Sequence, residues 1–183
     1  MLTEIGIDIS KARMHLRAGE LVAIPTETVY GLAANALNED AVLKIYEAKS
    51  RPQFNPIIVH VASFEKAKQY IQNILPEAKK LTDVFWPGPL TVLFEKNVSI
   101  PDIVTAGSIR VAIRVPNHSL TLELLQQLEF PLAAPSANPS GYVSPTSAQH
   151  VYDGLHHKIP YILDGGECKV GVESTIVGWN EVD

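Results

Sequence analysis

The chain has 183 residues, a formal net charge of −5 and a single cysteine, Cys168; 46% of it is hydrophobic and 19% is charged. That length and composition suit one globular domain with a real core. The acidic balance argues against a surface that grips nucleic acid nonspecifically, the lone cysteine excludes an intrachain disulfide or a multi-cysteine metal site, and no apolar run reaches membrane-spanning length.

Met1 to Asp8 has no basic region followed by an apolar core, so no signal peptide is read there and a cytoplasmic location is expected. Asp8 or Ser10 can cap a first helix, with Ile9, Ala12 and Leu16 on one face and Gly19 as its stop. Leu21 to Ile24 is an apolar run of strand length that ends at Pro25. Asn38 can cap a second helix, whose apolar positions Val42, Ile45 and Tyr46 recur at helical spacing. That helix runs out at Lys49-Ser-Arg-Pro52, because proline disfavours helical geometry in the residue before it. Ile57 to Val61 reads as a strand. Ser63 suits the cap of a helix containing Phe64, Ala67 and Ile71, and Pro76 suits the first turn of another that ends near Phe85. Trp86-Pro-Gly-Pro-Leu-Thr91 forces a turn into a strand from Thr91 to Glu95. Ile109 to Val115 reads as a strand, Leu120 to Leu128 as a helix and Pro131 to Ala134 as a short strand. After a turn-rich loop from Ser136 to Gly141, Thr146 or Ser147 can cap a helix reaching Tyr152. Ile159 to Leu163 and Thr175 to Trp179 read as closing strands. Interleaved helices and short strands predict an α/β or α+β domain with an open, mixed sheet.

Polar chemistry gathers at the ends of these elements. Thr26, Glu27 and Thr28 follow one strand directly, while Lys49, Arg51 and Asn55 lie between a helix and the next strand. Cations and short polar groups at element ends suit a small anionic ligand. Along Arg110-Val-Ala-Ile-Arg114, alternation puts Arg110, Ala112 and Arg114 on one face, which is either a cationic ligand face or a solvent-facing edge. Along Ile57 to Val61, Ile58 and His60 share a face, and the plain reading of His60 is a packed, hydrogen-bonded side chain. Pro135 to Pro145 is rich in serine and proline, and its hydroxyls and amides could line a phosphate or simply form a stiff turn. The glycines of Asp164-Gly-Gly-Glu167 and Gly171 allow either close backbone approach to a ligand or a hairpin-like connection. No phosphate-binding P-loop, dinucleotide fingerprint or nucleophile elbow is present in the sequence.

Pro25-Thr-Glu-Thr-Val-Tyr-Gly-Leu32 and Lys49-x-Arg-Pro-x-x-Asn-Pro56 resemble signatures of the YrdC/Sua5 family. Trp86 to Thr91, Val111 to Pro116, Pro135 to Gly141, Ser144 to Thr146 and Glu173 to Val177 resemble further segments, in the family's order. The resemblance implies a single-domain α/β fold, a twisted open mixed sheet with flanking helices and a concave cationic cavity. It implies a nucleotidyltransferase that joins L-threonine, bicarbonate and ATP into threonylcarbamoyl-AMP and releases pyrophosphate. The product would pass to threonylcarbamoyl-transfer machinery for t6A modification of transfer RNA at position 37. In the family pattern Thr28, His60, Arg114, Ala134 (through its backbone) and Ser174 would hold threonine. Arg51, Asn55, Arg110, Ser136, Asn138 and Ser144 would hold ATP, with Lys49 and Arg51 stabilising charge on the phosphates. Magnesium is expected with ATP, without dedicated protein ligands; Glu27 is a candidate contributor.

The sequence also departs from the pattern. Glu27 stands where aspartate is common, and Arg110 where a small hydroxyl residue is frequent, so its ATP contact would run through the backbone. The family usually adds a further short strand bearing an ATP-contacting arginine, and some members add a second carboxy-terminal domain. This sequence stops at Asp183, so an ATP site open on one side is expected. The alternative is a module that binds double-stranded or transfer RNA in the same cavity without catalysis. The acidic net charge counts against it. A carbamoyl-transfer domain, like those of hydrogenase maturation proteins, would bring cysteine clusters that this chain lacks.

Overall fold

The computed structural model describes residues 2–179. In chain order the elements are β1 (Glu4–Gly6), α1 (Ile9–Arg17), β2 (Val22–Ile24), β3 (Gly31–Asn35), α2 (Glu39–Lys49), β4 (Val59–His60), α3 (Phe64–Ala67), β5 (Ile71–Gln72) and α4 (Pro76–Phe85). Then follow β6 (Leu90–Lys96), α5 (Asp102–Thr105), β7 (Arg110–Arg114), α6 (Ser119–Gln126), β8 (Leu132–Ala133), α7 (Ala148–Leu155), β9 (Tyr161–Leu163) and β10 (Thr175–Val177). They form one twisted mixed sheet in the order β1-β9-β2-β3-β8-β4-β7-β6-β10, with β5 also pairing β6. Asn180 to Asp183 lie outside the described residues.

Helices cover both faces of the sheet. Val22, Ile24, Ala33, Tyr161 and Leu163 pack under Ala12 and Leu16 of α1 and Leu124 and Leu125 of α6. Ala23, Leu32, Ala34 and Ile162 point the other way, into a cluster with Val42 and Ile45 of α2 and Val151 of α7. Strands apolar on both faces carry no alternation, so they read as plain apolar runs. This is why β3 escaped the sequence reading: Gly31-Leu-Ala-Ala-Asn35 is a central strand buried on both sides. Other expectations shift for similar local reasons. The strand at Ile57 to Val61 shrinks to Val59–His60, and the helix begun at Ser63 ends at Ala67, leaving Ile71 to pair with Lys96 in β5.

The caps were legible. Asp8 accepts from the backbone of Ser10 and Lys11, Asn38 from Ala41 and Ser147 from His150. Each such cap stabilises its helix by about 1 kcal/mol. At its other end α2 stops at Ser50, whose backbone is left-handed at φ 51°. That reversal turns the chain out of the helix line at Arg51.

Candidate binding cavity

Strand register builds the floor of the site. His60 lies opposite Arg114 across the parallel β4–β7 pair and opposite Leu132 across β4–β8. Neighbours in register share a face, so the imidazole and the guanidinium stand side by side. Val59, Val111 and Ile113 face the core behind them.

The turn after β2 supplies the next wall. Thr26 Oγ1 accepts from the backbone amides of Thr28 and Val29 at 3.1 and 3.2 Å and donates its one proton to the Val29 carbonyl at 2.6 Å. Hydroxyl–backbone bonds of this kind fix tight turns. Thr28 Oγ1, 2.9 Å from Thr26 Oγ1, must therefore be the donor in that pair, which leaves its lone pairs to accept from Arg114 Nη2 at 3.0 Å. Arg114 is 4% exposed and is held from two further sides. Its Nε donates to the Gly88 carbonyl at 3.2 Å, and Nη2 lies 2.7 Å from Glu27 Oε1. The approach to Oε1 is an ion pair without hydrogen-bond alignment, while Glu27 Oε2 accepts from the Asn117 amide at 3.0 Å.

A strap from Asp164 to Ser174 closes the other side. Tyr30 pins its start, donating to the Gly166 carbonyl at 2.7 Å and accepting from the Gly165 amide. Burial raises the Tyr30 pKa, so the phenol keeps the proton that it donates. Val170 and Gly171 then donate to the carbonyls of Glu27 and Thr28 at 2.9 and 3.0 Å. Gly171 sits at φ +76°, a conformation that side chains resist. The strap brings Glu173 and Ser174 to the cavity, where Ser174 Oγ pairs with Thr91 Oγ1 at 2.7 Å and Glu173 accepts from Ser144 at 2.8 Å.

The enclosed volume is about 190 Å³. Thr28, His60, Arg114, Ala134 and Ser174 line it, with Arg51 and Ser136 beside them and Val29, Ile58 and Ile176 giving an apolar wall. Sites that bury a drug-sized ligand run to roughly 300–1,000 Å³, so this space suits an amino acid or one charged group of a larger ligand. His60 is buried, and its pKa is pushed down to about 3 by burial first and by Arg114 second, against the carbonyls of Ile58 and Leu132. It is therefore a neutral imidazole, and its Nδ1 has no partner among the described residues.

Several predicted site residues are not on the cavity wall. Lys49 is 1% exposed, and its ammonium donates to the carbonyls of Ser136 and Asn138. It clasps the serine-rich loop from below instead of facing a phosphate, because burial next to those carbonyls uses its donors. Burial first and Arg51 second push its pKa down to about 8, against the pull of Glu173. Asn138 is spent on the same loop, donating to Tyr142 and Pro139 carbonyls. Among the described residues Ser144 reaches the site through its bond to Glu173. Asn55 is half-buried, with its carbonyl accepting from Tyr46. Arg110 lines a separate depression with Leu75, Leu93 and Trp179, since it stands at the far end of β7 from Arg114. Arg51 does line the cavity; Nη2 donates to the Pro56 carbonyl at 3.1 Å, and Nε is buried without a partner among the described residues. The cationic character is thus concentrated at Arg51, since Glu27 backs Arg114 and Glu173 lies on the wall.

Ile58, Glu173 and Ile176 also line the cavity but are not read as site residues from the sequence. Ile58 could have been found from its shared face with His60; Glu173 depends on where the strap lies, and Ile176 on the pairing of β10 with β6. The sheet and the cavity at the ends of its strands define a mixed α/β domain. A family model described as "Telomere recombination", for Sua5, YciO and YrdC proteins, matches residues 14–182. The chain belongs to this family. It is 52% identical over 166 residues to a threonylcarbamoyl-AMP synthase of Pyrococcus abyssi, covering 91% of this chain and 49% of that protein. It is 50% identical over 170 residues to the threonylcarbamoyl-AMP synthase of Bacillus subtilis, covering 92% of this chain and 49% of that one. The crystal structure of P. abyssi Sua5 complexed with L-threonine superposes with a TM-score of 0.93 at 48% identity, covering 99% of this chain and 54% of that one. The chain therefore spans about half the length of these relatives.

Proposed function

We propose that this chain forms threonylcarbamoyl-AMP from L-threonine, bicarbonate and ATP in the cytoplasm, for t6A modification of transfer RNA. One observation carries the reading: Thr28, His60, Arg114, Ala134 and Ser174, the set that the family pattern assigns to threonine, line a single small cavity. Likeness to a P. abyssi protein whose structure is complexed with L-threonine adds support.

The residues suit the chemistry. The threonine amine attacks the carbon of bicarbonate, a C–N bond forms and water leaves. An oxygen of the resulting N-carboxylate attacks the α-phosphorus of ATP, and the bond to the β-phosphate breaks to release pyrophosphate. Arg114 offers its free edge to the threonine carboxylate. Neutral His60 can accept or donate one hydrogen bond without adding charge. Ile58 and Ile176 give the threonine methyl an apolar neighbour. Arg51 and the Ser136 hydroxyl, beside the amino-acid space, stabilise charge developing on the phosphates. Lys49 acts at one remove, through the loop that carries Ser136.

Magnesium is expected to travel with ATP and to supply charge neutralisation on its phosphates. Glu173, on the cavity wall, is the carboxylate that fits; Glu27 is not, since both its oxygens are engaged. The test is pyrophosphate release from the purified chain with each substrate omitted in turn. Release that needs ATP, threonine and bicarbonate together is expected; release that ignores threonine would refute the proposal.

A further inference from the structure

Glu27 does not line the cavity, yet its carboxylate is spent wholly on residues that shape it. Oε2 accepts from the Asn117 amide at 3.0 Å and Oε1 lies 2.7 Å from Arg114 Nη2. The Glu27 backbone is itself fixed, since its carbonyl accepts from Val170. Arg114 is held through Nε by Gly88 and through Nη2 by Thr28 and Glu27. Among the described residues Nη1 meets no protein acceptor, and it is not among the buried unpartnered atoms, so this edge is left for a ligand. A free guanidinium side chain loses rotamer freedom when it is fixed, and recognition improves when its plane is set beforehand.

We infer that Glu27 is a positioning residue for Arg114, setting the plane in which that arginine meets the substrate carboxylate; the inference rests on the function proposed above. The position requires two acceptor oxygens. Glutamate and aspartate have them, whereas glutamine has one acceptor and one donor, so either flip of its amide sets a donor against Asn117 N–H or against Arg114. The near-isosteric change Glu27→Gln therefore breaks the hold on Arg114 without opening a cavity, and Glu27→Asp keeps both the charge and the acceptors.

The experiment is calorimetric titration of wild type, Glu27→Gln and Glu27→Asp with L-threonine and with L-threoninamide, which lacks the carboxylate. Wild type binds threonine in preference to the amide. In Glu27→Gln threonine binding weakens roughly ten- to a hundredfold, the value of one charge-assisted contact, and threoninamide binding stays level, so the preference collapses. Glu27→Asp keeps the preference to within about threefold. A role confined to stability would lower both ligands' binding equally in Glu27→Gln, and that result overturns the inference. So does a Glu27→Gln protein that keeps the wild-type preference. Should Glu27→Gln not fold, Glu27→Ala takes its place: the preference is expected to collapse there as well, and a kept preference overturns the inference. Wild type that binds no threonine overturns the proposed function, and the inference with it.

Discussion

Lys49→Met separates a loop clasp from a phosphate ligand. Methionine matches the lysine stem but removes the ammonium that serves the Ser136 and Asn138 carbonyls. Leaving a buried acceptor unsatisfied costs about 1–3 kcal/mol, so two cost about 2–6 kcal/mol. Against this, a pKa lowered from 10.5 to about 8 means that burial disfavours the ammonium relative to the neutral amine. At 1.36 kcal/mol per pKa unit that is about 3 kcal/mol. At pH 7 the two effects largely offset, and the variant should range from near wild-type stability to about 3 kcal/mol below it. The pH dependence is sharper. Between pH 8 and 10.5 the unfolded chain still holds the lysine proton and the folded chain has released it, so wild-type stability rises with pH in that window. The neutral amine keeps its donors to the carbonyls. The gap between wild type and Lys49→Met should therefore widen by about 3 kcal/mol, or roughly 6–12 °C in melting temperature for a domain of this size. Thermal melts of both proteins from pH 7 to 10.5 measure it. A gap that does not change with pH would refute the clasp, as would a variant of unaltered stability that has lost ATP binding outright.

Arg51→Ala should raise the ATP requirement roughly ten- to a hundredfold with threonine affinity little changed, and Arg110→Ala should change either by less than about threefold; steady-state kinetics showing equal effects would return Arg110 to the site. His60 gives an acid test. Its folded pKa of about 3 lies below the unfolded value of 6.5, so the unfolded chain takes the proton first and stability is lost as pH falls through that interval. Denaturant titrations should show wild type losing on the order of 4 kcal/mol more than His60→Gln between pH 7 and 3.5; parallel losses would mean that the imidazole is not buried neutral. Glu27→Gln should abolish the preference for threonine over threoninamide, as set out above.

The sequence was most legible where one local rule acts alone. Asn38, Asp8 and Ser147 announce helices because a cap needs only its own next turn. Period-two alternation placed Arg114 and Ala112 on one face of β7, and Ile58 and His60 on one face of the run from Ile57 to Val61. That His60 then stands beside Arg114 depends on which strands pair, and pairing crosses the whole chain. A two-residue strand such as β5 is too short for a periodic signal. The same limit explains the site. Thr28 and Arg51 could be read from the ends of elements, but nothing local to Lys49 says that its ammonium meets the carbonyls of Ser136 and Asn138. Nothing local to Glu27 says that it faces Arg114. Arg110 looked equivalent to Arg114 because alternation gives a face, not a position along the strand.

The central claim is that one cavity brings threonine to bicarbonate and ATP. Its most direct test is mass spectrometry of the products made by this chain from ATP, bicarbonate and isotopically labelled L-threonine. The account predicts a threonylcarbamoyl adenylate that carries the threonine label, together with pyrophosphate, and neither when bicarbonate is omitted. ATP converted to pyrophosphate or ADP with no label in an adenylate would contradict it.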